Sequence, residues 1–213
     1  MSNHPQSWST IGVPLPERRS RLNLNPAHWS VAALTEVALA VALASSLGLL
    51  KLFVMPQGGS VSLEMLPLLF LAVRRGVGPA LVAGGLYGVV QLILPGAGIY
   101  YPAQVLLDYP LAFMAVAAAG LVRVTSWRTL ALAVAVGCAA RFVFHFLSGL
   151  LFFGQYAPPS WQSHWWGAFT YSITYNLLYI VPEALITVVV LWPLLKAYDA
   201  AFPAGGRAGG GLA

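Results

Sequence analysis

Residues 102–122 form an apolar run that holds one carboxylate, Asp108. At about 1.5 Å per residue, a helix of that length crosses the ~30 Å hydrocarbon core of a bilayer. Comparable runs cover 31–53, 77–94, 130–153 and 165–195, and a shorter one covers 61–73. Such runs leave the chain little choice. In lipid every backbone N–H and C=O must bond within its own segment, so the runs are read as helices. Strands of a closed barrel would alternate polar and apolar residues, and these runs do not. Composition agrees: 59% of the residues are hydrophobic and only 8% charged, against about 25% charged in soluble domains. The expected fold is an all-α polytopic membrane protein with six transmembrane helices. Segment 61–73 is expected as a half-crossing or a tilted helix inside the bundle. Segment 165–195 is expected to be interrupted at Pro182.

Lysine and arginine set the expected orientation, because they concentrate in cytoplasmic loops. Arg18, Arg19, Arg21, Arg74, Arg75, Arg123, Arg128, Lys196 and Arg207 fall on one side, Lys51 on the other, and Arg141 inside a segment. Both termini are therefore expected in the cytoplasm. Residues 1–29 read as a polar cytoplasmic segment without the regions of a signal peptide. Residues 30–197 read as the membrane domain, and 198–213 as a Gly/Ala-rich disordered tail. The net charge of +5 comes from basic residues scattered between apolar segments, which form no nucleic-acid-binding patch. One cysteine, Cys138, excludes a disulfide framework.

A carboxylate inside a membrane costs several kcal/mol (about 2.5–3.5 on insertion scales) unless it is paired, so Asp108 marks a functional site by default. Counted from the outer ends of their segments, Asp108 lies about 9 Å deep, His145 about 12 Å, Tyr171 about 9 Å and Asn176 about 16 Å. Three segments thus place polar groups in one layer of the outer half, as a cavity open to the outside requires. Asp108 is read as a cation ligand, or as the ion-pair partner of Arg141 or His145. Tyr109 is a wall of the site or a lipid-facing aromatic. Arg141, His145 and Gly149 recur at i, i+4 and i+8 on one helix face, which Phe152 and Phe153 roughly extend. Arg141 is expected to pair with Glu36, Glu183 or Asp108. Gly149 admits a ligand ring or a neighbouring helix. Tyr171 and Asn176, about 140° apart round a helix, line one pocket only if it is wide. Asn176 offers a donor and an acceptor, for a ligand edge or another helix. Trp161, Trp165 and Trp166 form a lid or an interfacial belt. Ala38 and Ala42, with Ala40 and Ala44 nearby, form a small-residue ridge for contact within the bundle or docking to a partner subunit.

No nucleotide-binding, metalloprotease or nucleophile-elbow motif is present. No catalytic residue and no cofactor are therefore expected. The rival readings are an intramembrane enzyme using Asp108 and His145 as acid and base, and an ion-coupled transporter, which usually shows internal repeats.

Five stretches resemble one family. They are 56–67 (Pro-Gln-Gly-Gly-Ser-Val-Ser-Leu-Glu-Met-Leu-Pro), 74–76 (Arg-Arg-Gly), 104–110 (Gln-Val-Leu-Leu-Asp-Tyr-Pro), 145–149 (His-Phe-Leu-Ser-Gly) and 171–176 (Tyr-Ser-Ile-Thr-Tyr-Asn). In this order they resemble the thiamine-specific substrate-binding component of energy-coupling-factor vitamin transporters, with similarity from about 34 to 196. The resemblance implies a multi-pass plasma-membrane protein of a prokaryote that binds thiamine near its outer face. It also implies partners: a transmembrane coupling subunit and two cytosolic ATPases. The ligand-contacting positions it implies are Asp108, Tyr109, His145, Gly149, Phe153, Tyr171 and Asn176. Asp108 stands where some members carry Glu, and Phe153 where the family has a stacking tryptophan. A tryptophan of the family's first loop has no counterpart in 55–60. Ala38 and Ala42 match the family's docking motif. Another small vitamin-like ligand is the nearest alternative.

Overall fold

The computed structural model describes residue 24 and residues 29–202. Helix α1, Val31–Gly48, starts at Ser30, whose hydroxyl accepts from the Ala33 amide at 3.2 Å. A tight ribbon follows, with strand β1 (Phe53–Val54) antiparallel to β2 (Ser60–Val61). Helix α2, Met65–Arg75, stops at Gly76, whose φ of 83° admits few side chains. Helix α3 is Val77–Gln91. Helix α4, Pro102–Leu121, contains a π turn at Leu107–Leu111 and ends in a 3₁₀ stretch, Val116–Leu121. Helix α5, Trp127–Tyr156, opens on a capping box of Ser126 and Thr129 and carries a second π turn at Gly149–Phe153. A short α6, Pro159–Gln162, precedes α7, Gly167–Ala201.

Among the described residues α1, α4, α5 and α7 are long and apolar enough to cross a membrane, and α3 is a shorter apolar helix. Helix α2 is the hub. Met65, Leu68, Leu69, Leu71, Ala72 and Val73 are all buried, so most of the helix packs against protein. At one end of the bundle Arg74 pairs with Asp199 of α7 at 3.1 Å, and Arg75 binds Glu36 of α1 through both carboxylate oxygens.

Several boundaries differ from the sequence reading. The first segment leaves the helix at Gly48 instead of running to 53, because the Leu52 amide bonds the Val61 carbonyl. The second starts at Met65, since Val61 belongs to β2. The last is not interrupted: Pro182 and Pro193 sit inside one continuous α7. Each proline removes one backbone bond, a loss transmembrane helices tolerate when neighbouring groups compensate. Helix α7 also takes in residues 198–201, which the sequence placed in a disordered tail. Residues 203–213 of that tail, with Arg207, and the basic residues Arg18, Arg19 and Arg21 lie outside the described residues.

Candidate functional site

At the end of the bundle opposite Arg74 and Arg75, the helices diverge around a cavity of about 810 Å³ including its mouth. All seven site residues expected from sequence line it: Asp108, Tyr109, His145, Gly149, Phe153, Tyr171 and Asn176.

Asp108 and Tyr109 sit in the π turn of α4. A π turn widens the helix locally, and such turns are frequent at functional sites. The Asp108 side chain is 17% exposed. Its Oδ2 accepts from Gln104 Nε2 at 2.8 Å and from Ser148 Oγ at 2.7 Å, and its Oδ1 meets His145 Nδ1 at 3.0 Å. The alternative of a direct pair with Arg141 is not realised. Arg141 binds Glu183 at 2.8 Å and Glu64 at 3.1 Å, and reaches Asp108 only through His145, whose Nε2 lies 3.1 Å from its Nε. Glu36, the third partner considered for Arg141, is taken by Arg75. Glu64 also accepts from Tyr87 Oη and Gln91 Nε2, each at 2.8 Å.

Tyr109 is a wall, not a lipid-facing ring. Its hydroxyl accepts from the Gly98 amide at 2.7 Å and anchors the loop between α3 and α4. Gln104 ties the same loop to the carboxylate. It donates to the Gly98 carbonyl at 3.1 Å and accepts from the Tyr100 amide at 3.1 Å. Tyr100 in turn meets Phe153 edge to face, 5.4 Å between centroids. Phe152 does not share the cavity. It stacks on Tyr101 at 5.2 Å.

On α7, Tyr171, Tyr175 and Tyr179 follow at i, i+4 and i+8, and all three line the cavity. Tyr171 Oη donates to Gln57 Oε1 at 3.1 Å, while Tyr175 Oη accepts from the Gln57 amide at 2.9 Å. The loop of the β1–β2 ribbon is thereby fastened across the cavity. Gly59 lies on the Tyr179 ring, where a Cβ would stand 2.7 Å from ring carbons. Asn176 is buried between α5 and α7. Its amide donates to the Ser172 carbonyl at 2.8 Å and the His145 carbonyl at 3.3 Å, and its Oδ1 accepts from Tyr179 Oη at 2.7 Å. The helix–helix role is thus occupied, although Asn176 borders the cavity. Gly149 likewise serves packing: a Cβ there would be 2.3 Å from Ser172 Oγ.

The tryptophans do not form a lid. None lines the cavity, and Trp165 is 95% exposed. Ala38 and Ala42 are exposed on α1, while Ala33, Val37, Ala40 and Ala44 face the bundle. Contact within the bundle is therefore not their role. Sequence reasoning gave Gln57, Gln104, Tyr175 and Tyr179 no site role and gave Glu64 no partner. The signals for them were the tyrosine spacing on α7, the carboxylate of Glu64 inside an apolar stretch, and the motifs 56–67 and 104–110 that hold Gln57 and Gln104.

The chain matches the family model described as thiamine transporter protein (Thia_YuaJ) over residues 34–203. The thiamine transporter ThiT of Bacillus subtilis (strain 168) is 37% identical over 153 residues, covering 64% of this chain and 75% of that protein. The ThiT of Lacticaseibacillus paracasei is 28% identical over 192 residues, covering 83% and 93%. A solved structure of ThiT from Listeria monocytogenes superposes with a TM-score of 0.69 at 29% identity, covering 78% of this chain and 94% of that one.

Proposed function

The chain belongs to the thiamine transporter protein family, and from that premise we propose that it captures thiamine in the cavity around Asp108. It is a multi-pass protein of a prokaryotic plasma membrane and a transport component, not an enzyme. The observation that carries the ligand assignment is the state of Asp108. An ionised carboxylate offers about four lone-pair sites, and three are taken by Gln104, Ser148 and His145. The remaining capacity belongs to a carboxylate that lines the cavity. Thiamine brings a fixed positive charge, an exocyclic amine and aromatic rings. Asp108 neutralises the charge or accepts from the amine. Phe153, Tyr171 and Tyr175 supply faces for stacking and cation–π attraction. Asn176 Oδ1 keeps a second lone pair for the pyrimidine edge.

Orientation follows from charge. Arg74, Arg75, Arg123, Arg128 and Lys196 lie in connections on one side by the count of segments, and Lys51 borders the cavity, which supports a cavity that faces outward and cytoplasmic termini. The substrate-binding subunit then docks on a transmembrane coupling subunit driven by two ATPases. Calorimetry on the detergent-purified chain is expected to show thiamine binding without ATP. No heat of binding, together with no endogenous thiamine in the purified protein by mass spectrometry, removes the proposal.

The exposed ridge of α1 is the proposed docking face. Ala38→Trp and Ala42→Arg are expected to keep the isolated subunit's thiamine affinity within about twofold, since neither residue touches the cavity. Both are expected to abolish uptake in cells, because small-residue contacts depend on close backbone approach. Uptake that persists with the ridge blocked places docking elsewhere. Binding lost together with uptake makes the pair part of the folded core.

A further inference from the structure

Arg141 is 4% exposed, and its three guanidinium nitrogens have three different partners: Nη1 on Glu183, Nη2 on Glu64 and Nε on His145 Nε2. A guanidinium has only donors. His145 Nε2 must therefore present its lone pair to Arg141, and the ring proton sits on Nδ1, facing Asp108 Oδ1 at 3.0 Å. We propose that Arg141 is a positioning residue for ligand capture: it locks His145 as a neutral Nδ1–H donor, so that Asp108 keeps its full negative charge for a cation. This rests on the reading of the cavity as a thiamine site.

The remaining groups around the imidazole do not replace the lock. From α4 comes Asp108. From α7 come the Tyr179 ring, edge-on at 6.0 Å, and the Asn176 amide on the His145 backbone carbonyl. Glu64 and Glu183 lie behind the guanidinium, bound to it. Without the Nε donor, the Nε2 lone pair is free to take a second proton. An imidazolium against Asp108 would then neutralise the charge the ligand needs. The planar fork matters as well as the charge, because an ammonium cannot hold three partners in one plane.

The test compares thiamine affinity at pH 7.5 and 5.5 for the wild type and for R141M/E183Q, in which the Nε donor is removed and the carboxylate bound to Nη1 is neutralised with it. The wild-type ratio absorbs any titration of the ligand itself. The double variant is expected to lose about tenfold more affinity between pH 7.5 and 5.5 than the wild type does, the effect of one added proton taken up across one unit of that range. Adding His145→Asn is expected to remove that extra loss. A double variant whose pH profile parallels the wild type overturns the lock. A second measurement needs no variant fold and no ligand: ¹⁵N resonance spectra of the wild-type imidazole, assigned with His145→Asn. A neutral ring protonated on Nδ1 at pH 5.5 is expected, and an imidazolium or an Nε2–H ring overturns the inference. A wild type that binds no thiamine at either pH, yet shows the Nδ1–H ring, defeats the functional reading and leaves the lock standing.

Discussion

Asp108→Asn is expected to weaken thiamine binding about 150-fold, the equivalent of about 3 kcal/mol, while the protein still inserts and folds. The figure is that of removing one partner from a buried charge pair, set at the low end because the Asp108 side chain keeps 17% exposure. Part of the effect is geometric. The carboxylate is surrounded by donors: Gln104 Nε2 and Ser148 Oγ on one oxygen, His145 Nδ1 on the other. An amide nitrogen in place of either oxygen faces a donor. Toward Oδ2 the Ser148 hydroxyl can rotate and accept, but Gln104 is fixed by its bonds to Gly98 and Tyr100. Toward Oδ1 it meets the ring N–H of His145. One donor is stranded in either orientation, at a cost of about 1–3 kcal/mol of stability. A lowered melting temperature should therefore accompany the lost affinity. Calorimetry and thermal unfolding on the same preparation check both. Unchanged affinity would move the counter-charge to Glu64, which lines the same cavity, and Glu64→Gln would then carry the loss.

The residues of that centre were legible in sequence because charge inside an apolar run has few explanations. Counting residues from the ends of two segments put Asp108 and His145 at similar depth, and the structure brings them within 3.0 Å. The i, i+4 spacing of Arg141 and His145 likewise became a contact of 3.1 Å. Glu64 was quoted in a motif but left without a partner, because Arg141 is 77 residues away and no local pattern links them. Gln57 was missed for the same reason: it is fastened to Tyr175 across 118 positions. Strands of two residues are too short to display a period, so the β1–β2 ribbon read as the end of a helix and a loop. The two π turns leave no trace in hydropathy. Each changes the rotation of every later residue relative to an ideal 3.6-residue count, which is why Phe153 lines the cavity while its neighbour Phe152 packs outside it.

The π turn of α4 is also where a small change in an uncharged residue is expected to act. Gly84 and Gly88 of α3, spaced i and i+4, lie directly on α4. A Cβ at Gly84 would stand 2.2 Å from the Phe113 carbonyl oxygen, and one at Gly88 would stand 2.6 Å from Pro110 Cα and from the Tyr109 carbonyl oxygen. These are backbone atoms of the segment that holds Asp108, and they cannot swing aside as a side chain can. Gly88→Ala should improve intrinsic helix propensity by up to about 1 kcal/mol, so any loss comes from the contact. Overpacking of this kind typically costs about 1–3 kcal/mol. Relief requires the turn at Leu107–Leu111 to move away from α3, which displaces Asp108 from Gln104, Ser148 and His145. Thiamine affinity is expected to fall at least about tenfold, since a misplaced counter-charge loses most of what a paired one contributes. Gly85→Ala is the matched control. Its Cβ would meet only the Met114 side chain, at 3.2 Å, and methionine is flexible enough to yield. Stability and affinity for that variant should stay near wild type. Melting temperature and calorimetry on the two variants separate the outcomes. If Gly88→Ala lowers stability but keeps affinity, α3 supports the bundle without setting the position of Asp108. If both variants behave like the wild type, α4 shifts freely against α3, and the carboxylate is aimed by its hydrogen bonds alone.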